Sequence, residues 1–404
     1  METKSNSLKT YSTDFVLNIL ATFLSTGIMQ LVVLPQLSRN LTSEDYGVML
    51  TATGFMNVLI NAFGNNLCNS RLRQEPKYQQ KKTIGDYQFL LIITSVVSIV
   101  CVLLFDFYLN EDIVTLILPL TLVTVSGIGK AYYLVTYRLK LNYKKNLVAN
   151  IFGCIGYCIG GFLLIKYVSW PWVFLPADVL TLIYIFFSSD IIREPIKKTE
   201  LFSDSAKVSM AILVGGLIGN ITTYLDRFII YPILGSDSVS TYATAAWFSK
   251  SILIVMAPIT SVLLSYITAG KLKLNRKKYN IVCLVLLIGV FICWGGAVVF
   301  APIITGWMYP TLIEQARPYI VYVSLSVVMG IMNNFLSVMV FAYAPVRWQT
   351  ILPLVRVIIY LALGIILVYI YGIMGIIIAV FVANLVGNVI SFFVARRWVR
   401  EVLV

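Results

Sequence analysis

The sequence predicts an all-α polytopic membrane protein of about twelve transmembrane helices, arranged as two pseudo-symmetric six-helix bundles. Three observations carry this expectation. Apolar residues make up 59% of the 404 and charged residues 12%, against about 45–50% and about 25% in soluble globular chains. Apolar runs of about 20 residues, the length at which a helix crosses a bilayer, recur twelve times. Lys and Arg collect in alternate connections between those runs.

Run one, 14–37, follows a polar start, lacks a small-residue cleavage pattern and is too long for the apolar core of a signal peptide, so it is expected to be retained. Run two, 46–68, carries Asn57, Asn61 and Asn65 at helical spacing and precedes Arg71, Arg73, Lys77, Lys81 and Lys82. Asp106, Glu111 and Asp112 separate run three, 87–105, from run four, 113–136, which holds Pro119 and Lys130 and precedes Arg138, Lys140, Lys144 and Lys145. Between runs five, 147–168, and six, 173–192, lie Lys166, Trp170 and Trp172. Run six contains Pro176 and Asp178, and Arg193, Lys197, Lys198 and Lys207 come after it.

Run seven, 208–231, carries Asp226 and Arg227; run eight, 239–269, carries Lys250 and Pro258 and leads into Lys271, Lys273, Arg276, Lys277 and Lys278. Trp307, Glu314 and Arg317 join run nine, 281–304, to run ten, 319–343, which contains Asn333 and Asn334 and precedes Arg347 and Trp348. Pro353 and Arg356 lie in run eleven, 350–370; Asn384 and Asn388 lie in run twelve, 373–394, before Arg396, Arg397, Trp398 and Arg400.

With residue 1 in the cytoplasm, nearly all the connecting cations fall inside, and only Arg39, Lys166 and Arg317 fall outside. The positive-inside rule therefore places both termini in the cytoplasm, in agreement with an even number of runs. The net charge of +13 is thereby mostly topology and does not point to nucleic acid. The chain has no His, which removes the commonest general base and metal ligand and disfavours hydrolase and zinc chemistry. All six cysteines sit inside apolar runs, including Cys154 and Cys158 on one helix face, and read as small hydrophobes.

A weak internal repeat supports two halves, 1–200 and 201–404. Leu34-Pro35-Gln36-Leu37 followed by Tyr46-Gly47 matches Tyr231-Pro232-Ile233-Leu234 followed by Tyr242-Ala243. The copies lie six runs apart and so run in the same direction, as in parallel repeats with the substrate path between them. Gly156/Gly160 and Gly215/Gly219 have the small-xxx-small spacing of close helix packing.

Four cations lie at membrane depth: Lys130, Arg227, Lys250 and Arg356. Each costs about 2.5–3.5 kcal/mol at mid-membrane unless hydrated or paired. A water-filled lining between the halves would relieve that cost. Tyr242, Ala246 and Lys250 form one stripe, and Gly216, Asn220, Thr223 and Arg227 another. Lys130 and Arg356 lie near enough to a run end to snorkel instead. Embedded acids are Asp14, Asp178 and Asp226, candidates for ion coupling or for capping and interhelical hydrogen bonds. Asp226 and Arg227 point about 100° apart and need not pair. Asn57, Asn61, Asn65, Asn333, Asn334, Asn384 and Asn388 could bind sugar hydroxyls or join helices. Pro119, Pro176, Pro258 and Pro353 are candidate bends. Gly127-Ile128-Gly129-Lys130 only echoes a phosphate-binding loop. No cofactor motif is found, and an ATP-driven cycle is not expected.

Pro35-Gln36-Leu37-Ser38-Arg39 with Glu44-Asp45-Tyr46-Gly47, and Asp226-Arg227-Phe228 with Gly235 and Tyr242-Ala243, resemble Wzx-type polysaccharide repeat-unit flippases of the MATE-like multidrug/oligosaccharidyl-lipid/polysaccharide exporter superfamily. The resemblance implies two bundles in a V that open alternately to either side of the bacterial cytoplasmic membrane. The cargo would be an undecaprenyl-diphosphate-linked oligosaccharide for O-antigen, lipopolysaccharide or capsule. A polysaccharide polymerase and a chain-length regulator would be partners, beside membrane lipid. Arg227, in the family-like Asp-Arg pair, would meet the diphosphate with Lys250, Lys130, Arg356 and Arg39, while Asn57, Asn61, Asn220 and Tyr242 would line the polar path. The alternatives are a MATE-type cation/drug antiporter and, from a different class, a membrane polysaccharide polymerase or acyltransferase, which the missing His and short outer connections disfavour.

Overall fold

The computed structural model describes residues 16–17, 19–21, 23–109, 114–165, 167–268, 275–345 and 347–399. Lys4, Lys9, Asp14, Glu111, Asp112, Lys166, Lys271, Lys273 and Arg400 lie outside them. Regular structure among the described residues is entirely helical. A π-turn, Met29–Val33, leads into α1, Leu34–Asn40. Helices α2, Ser43–Leu59, and α3, Asn66–Lys81, are joined by a π-turn at Ile60–Asn65. The first half continues with α4, Asp86–Leu109, α5, Val114–Tyr133, the short α6, Val135–Leu139, α7, Tyr143–Cys158, and α8, Leu175–Ser188. Then come α9, Phe202–Leu234, α10, Ser236–Thr268, α11, Arg276–Met308, α12, Ile313–Tyr343, α13, Arg347–Tyr371, and α14, Ile373–Trp398.

Eleven helical stretches among the described residues are long and apolar enough to cross a membrane. The eighth expected run falls in α10, itself 33 residues long. This is a multi-pass membrane protein. At 1.5 Å per residue, α9 to α11 are each about 50 Å long, well beyond the thickness of a hydrocarbon core of about 30 Å. Run two likewise continues as helix to Lys81, where Lys82 turns left-handed at φ 49°.

Local chemistry sets the breaks. Asn142 and Asn275 cap α7 and α11, their side-chain oxygens accepting from Lys145 N (3.1 Å) and Lys278 N (2.8 Å). Pro119, Pro258 and Pro353 lie inside helices, whereas Pro176 sits in the first turn of α8, where a missing N–H is no loss. Pro35 starts α1, which runs on to Asn40, while α9 ends two residues after Pro232. Gly372, at φ 59°, makes the tight turn from α13 to α14. Gly156 and Gly160 do bring helices together: a Cβ on Gly160 would lie 1.9 Å from the Val173 oxygen. Gly215 and Gly219 have nothing within 4 Å of such a Cβ.

Two compact units emerge, Met1–Leu41 with Val48–Tyr224, and Thr42–Gly47 with Leu225–Val404. The stretch Ser43–Lys81, most of which lies in the first unit, is the most enclosed of the candidate spans, with 78% of its apolar window buried. In the second, α12 packs against α10, α11 and α14, and α13 forms a hairpin with α14. Tyr279, Leu336, Met339, Val340 and Ala395 build one core at the α11–α12–α14 contact.

In the first unit, residues 189–205 are fastened across the ends of α3 to α5. Arg71 forks onto Glu194 at 2.6 and 2.7 Å and also donates to the Tyr132 hydroxyl at 2.7 Å. Asp86 accepts from Thr199 N at 2.6 Å and from the Tyr78 hydroxyl at 2.7 Å, and Gln88 donates to the Ile191 oxygen at 2.6 Å. Arg71 is 7% exposed, so breaking its ion pair should cost about 3–5 kcal/mol. Glu194→Ala is therefore expected to lower the melting temperature of the purified protein in detergent by several degrees. The double variant Arg71→Met/Glu194→Leu, which removes both members of the buried fork and leaves only the part-exposed Glu75 without Arg71, should recover most of the loss. Equal melting of Glu194→Ala and wild type would refute the anchoring role.

Candidate functional site

In the first unit, the embedded Lys130 is ion-paired to Asp178. Lys130 lies in the last turn of α5 and Asp178 in the first turn of α8, so each charge also suits the helix dipole at its position. Asp178 is almost wholly buried, its side chain 7% exposed, and Lys130 is 20% exposed. Ser126 Oγ, one turn before Lys130, lies 3.5 Å from Asp178 Oδ2. The ammonium sits 5.8 Å from the Tyr157 ring centroid. Lys130 thus finds a carboxylate inside the unit and does not need to snorkel.

In the second unit, Asp226 on α9 pairs with Lys250 on α10. Asp226 Oδ1 accepts from the Arg227 backbone N–H at 2.9 Å, while the Arg227 side chain belongs to the electrostatic surroundings of Tyr46, Tyr242 and Tyr309. Tyr242 is 1% exposed, faces the same carboxylate, and lies under the Lys250 ammonium at 5.6 Å. The Tyr242–Ala246–Lys250 stripe is accordingly a buried helix face gathered on Asp226, with Tyr242 and Ala246 both enclosed. Aromatics extend the site: Tyr309 packs on Trp247 at 5.4 Å and on Tyr46 at 6.3 Å. Burial pushes the Tyr309 phenol well above its ordinary range, keeping it neutral. Ser43 and Ser240 share a 2.7 Å hydrogen bond.

Arg356 on α13 donates to Asn333 Oδ1 on α12 at 2.7 Å. Asn388 and Asn384 on α14 donate to backbone oxygens of Met329 and Ser326, at 3.1 and 3.0 Å. These amides bind helix to helix.

The other expected residues are dispersed. Arg39 is exposed in the last turn of α1, and Asp14 lies outside the described residues. Asn65 Nδ2 donates to Asn61 Oδ1 at 2.6 Å, and Asn61 Nδ2 to the Asn57 oxygen at 2.8 Å. This ladder runs through the π-turn, where a side-chain amide competes for a backbone carbonyl. The second stripe divides between the units: Gly216, Asn220 and Thr223 belong to the first and Arg227 to the second. Gly216 is pressed against the Asn66 amide, and Thr223 bonds back to the Gly219 oxygen at 3.2 Å. Sequence reasoning passed over Ser126, Tyr157, Trp247 and Tyr309. Ser126 was accessible, being four residues before Lys130; nothing local marks the other three.

Among the described residues, no three His, Cys, Asp or Glu side chains form a group that could hold a metal ion. Chemically, each unit holds charged and amide hydrogen-bonding groups within apolar helices.

A profile of the family described as polysaccharide biosynthesis protein matches residues 14–271. No curated protein matches the chain. Among solved structures, an inward-facing multidrug resistance MATE family transporter of the MOP superfamily superimposes with a TM-score of 0.72 at 14% identity, covering 95% of this chain and 94% of that one. The lipid II flippase MurJ in an inward closed conformation gives 0.69 at 17% identity, covering 96% and 87%. An outward-facing MATE transporter gives 0.60 at 14% identity, covering 96% and 95%. The chain therefore has the MATE-like fold of these transporters.

The buried pair in the first unit yields a stability prediction. Asp178→Asn strands the Lys130 charge and should lower the melting temperature in detergent more than Lys130→Met/Asp178→Leu, which removes both charges. Equal losses in the two variants would mean that the pairing does not matter.

Proposed function

The chain belongs to the polysaccharide biosynthesis protein family, and from that premise we propose that it is a flippase. Its cargo is an undecaprenyl-diphosphate-linked oligosaccharide repeat unit, carried from the cytoplasmic to the outer leaflet for O-antigen, capsule or a related surface polysaccharide. The observation that carries this reading is the set of cations in the apolar runs, Arg227, Lys250 and Arg356 above all, four with Lys130 against three embedded acids. Embedded cations mark the path of an anion, and a diphosphate offers charge-assisted hydrogen bonds to them. Amides and phenols such as Asn57, Asn61, Asn220 and Tyr242 are the donors and acceptors proposed for the sugars.

The cycle is alternating access between two six-helix halves, 1–200 and 201–404, with the prenyl chain left in lipid. The existence of inward- and outward-facing structures of this fold supports that choice. Binding has to be weak enough at the outer side for release. Asp178 and Asp226 are the described candidates for ion coupling, since protonation of either would release its lysine; Asp14 and Arg39 are further candidates, for coupling and for the diphosphate path. The protein would sit in the bacterial cytoplasmic membrane with both termini inside, as the cation distribution favours, and would hand its product to a polymerase and chain-length regulator.

Deletion in the native host is expected to abolish surface polysaccharide while complete lipid-linked units accumulate on the cytoplasmic face, read with a membrane-impermeant glycan probe. Units on the outer face would move the protein to another step. Arg227→Ala and Lys250→Ala, at normal membrane levels, should each fail to restore export; normal export in both would remove these cations from the path. The drug-antiporter alternative shares the fold and predicts drug resistance on overexpression with unchanged glycan.

A further inference from the structure

A cavity of about 290 Å³ lies in the first unit, apart from the embedded charge pairs. It opens where α3 ends and α4 begins, and Arg71, Glu75, Tyr78, Lys82, Ile84 and Tyr87 are among its lining residues. Sites for drug-sized ligands run from about 300 to 1,000 Å³, so an occupant here has to be small. Tyr87 opens the third apolar run and Ile84, close before it, is 52% exposed. The mouth therefore stands at the boundary of the apolar zone.

Charge is spread unevenly along this cavity. The Arg71 guanidinium closes its fork on Glu194 and donates to Tyr132, so Glu75 meets only its Nε, at 3.8 Å. Two carboxylates thus share one buried cation, and among the described residues no other cation stands within ion-pair distance of Glu75. Gln79 adds a neutral amide, its Nε2 donating to Glu75 at 3.3 Å. The rings of Tyr78 and Tyr87 lie 5.6 Å apart, their hydroxyls committed to Asp86 and Ser70. Lys82 follows Glu75 by seven residues, two turns or about 10 Å along the helix. It is exposed and, among the described residues, has no carboxylate within ion-pair distance.

A surplus carboxylate beside aromatic rings suits an ammonium, and an uncommitted lysine suits a phosphate. We infer that this cavity binds a phosphoethanolamine zwitterion, its ammonium on Glu75 against the rings of Tyr78 and Tyr87 and its phosphate on Lys82. Two sources carry that group, an aminophospholipid headgroup and soluble phosphoethanolamine; the exposed Ile84 at the mouth favours the lipid. Neutralising Glu75 leaves Arg71 wholly to Glu194, so occupancy tightens the hold on residues 189–205, which lead into α9. The site is regulatory, and it uses none of the cations assigned to the cargo.

The test is a titration of the full-length protein in detergent with dioctanoyl phosphatidylethanolamine, read as Kd by microscale thermophoresis and as melting temperature. Saturable binding with a rise in melting temperature is expected. Dioctanoyl phosphatidylglycerol, which keeps the phosphate without the ammonium, should bind about tenfold or more weakly. Glu75→Gln should lose about tenfold or more for the ethanolamine lipid, the size of a charge-assisted hydrogen bond. Lys82→Gln should lose about threefold, as an exposed contact. Lys77→Gln, outside the cavity, should stay within about twofold of wild type. Glu75→Asp keeps the carboxylate on a shorter stem and should fall between; it decides the matter if Glu75→Gln does not purify as a monodisperse species. Competition by soluble phosphoethanolamine shows that the headgroup alone suffices, and absence of competition assigns the site to the lipid. Both leave the site standing. It is overturned if the wild type shows no saturable binding, if phosphatidylglycerol binds equally well, if a folded Glu75→Gln or Glu75→Asp binds as wild type, or if Lys77→Gln loses as much.

Discussion

A charge placed among apolar helices has to find a counter-charge, a dense set of hydrogen bonds or a ligand, because water is not there to stabilise it. Much of the polar architecture of this protein follows from that constraint. Lys130 is held by Asp178 and Lys250 by Asp226, in each case between two different helices and with a tyrosine ring beside the ammonium. Each pair ties together the two helices it joins. Arg356 is settled differently, by an amide. Cations alike on paper therefore divide into those paired with a carboxylate and one bonded to an amide.

The same economy governs the first unit outside the apolar zone. Residues 189–205, which lead out of α8 and into α9, are tied down by Arg71, Asp86, Gln88 and Tyr78. A connection of this length left loose would carry unpaired backbone groups, and here the buried Asp86 and Gln88 accept or donate to that backbone directly. The exposed pairs Lys77–Asp204 and Lys81–Glu200 add little beside these. What enters α9 is thus a preset chain direction.

The fold was legible because bilayer thickness imposes a length on apolar runs, and that length shows directly in the sequence. The true helix ends were less visible: α3 continues thirteen residues past the expected end at 68 because a polar segment can prolong a helix beyond the lipid as easily as end it. The π-turns at Met29–Val33 and Ile60–Asn65 carry no hydropathy signal, although the Asn57, Asn61 and Asn65 series marks the second in hindsight. Pro35 and Pro232, alike in sequence, stand at the beginning of one helix and near the end of another. At the site, Tyr242 and Lys250 could be gathered from helical spacing, but not Asp226, which joins them from the neighbouring helix. The Lys130–Asp178 partnership could not, since helix packing across 48 residues of chain decides it. Arg71 read as a topological cation, and nothing near it in sequence points to Glu194.

The central claim is that counter-charge, more than position along the helix, decides which embedded residues this protein tolerates. It is tested most directly by exchanging the two charges of the second unit. In Asp226→Lys/Lys250→Asp the pair survives with its sense reversed, whereas Asp226→Lys alone sets two lysines together. Melting temperature and monodispersity in detergent should stay close to wild type in the exchange and collapse in the single variant. Equal behaviour of the two would contradict the account, since the charges would then be tolerated without regard to their partners.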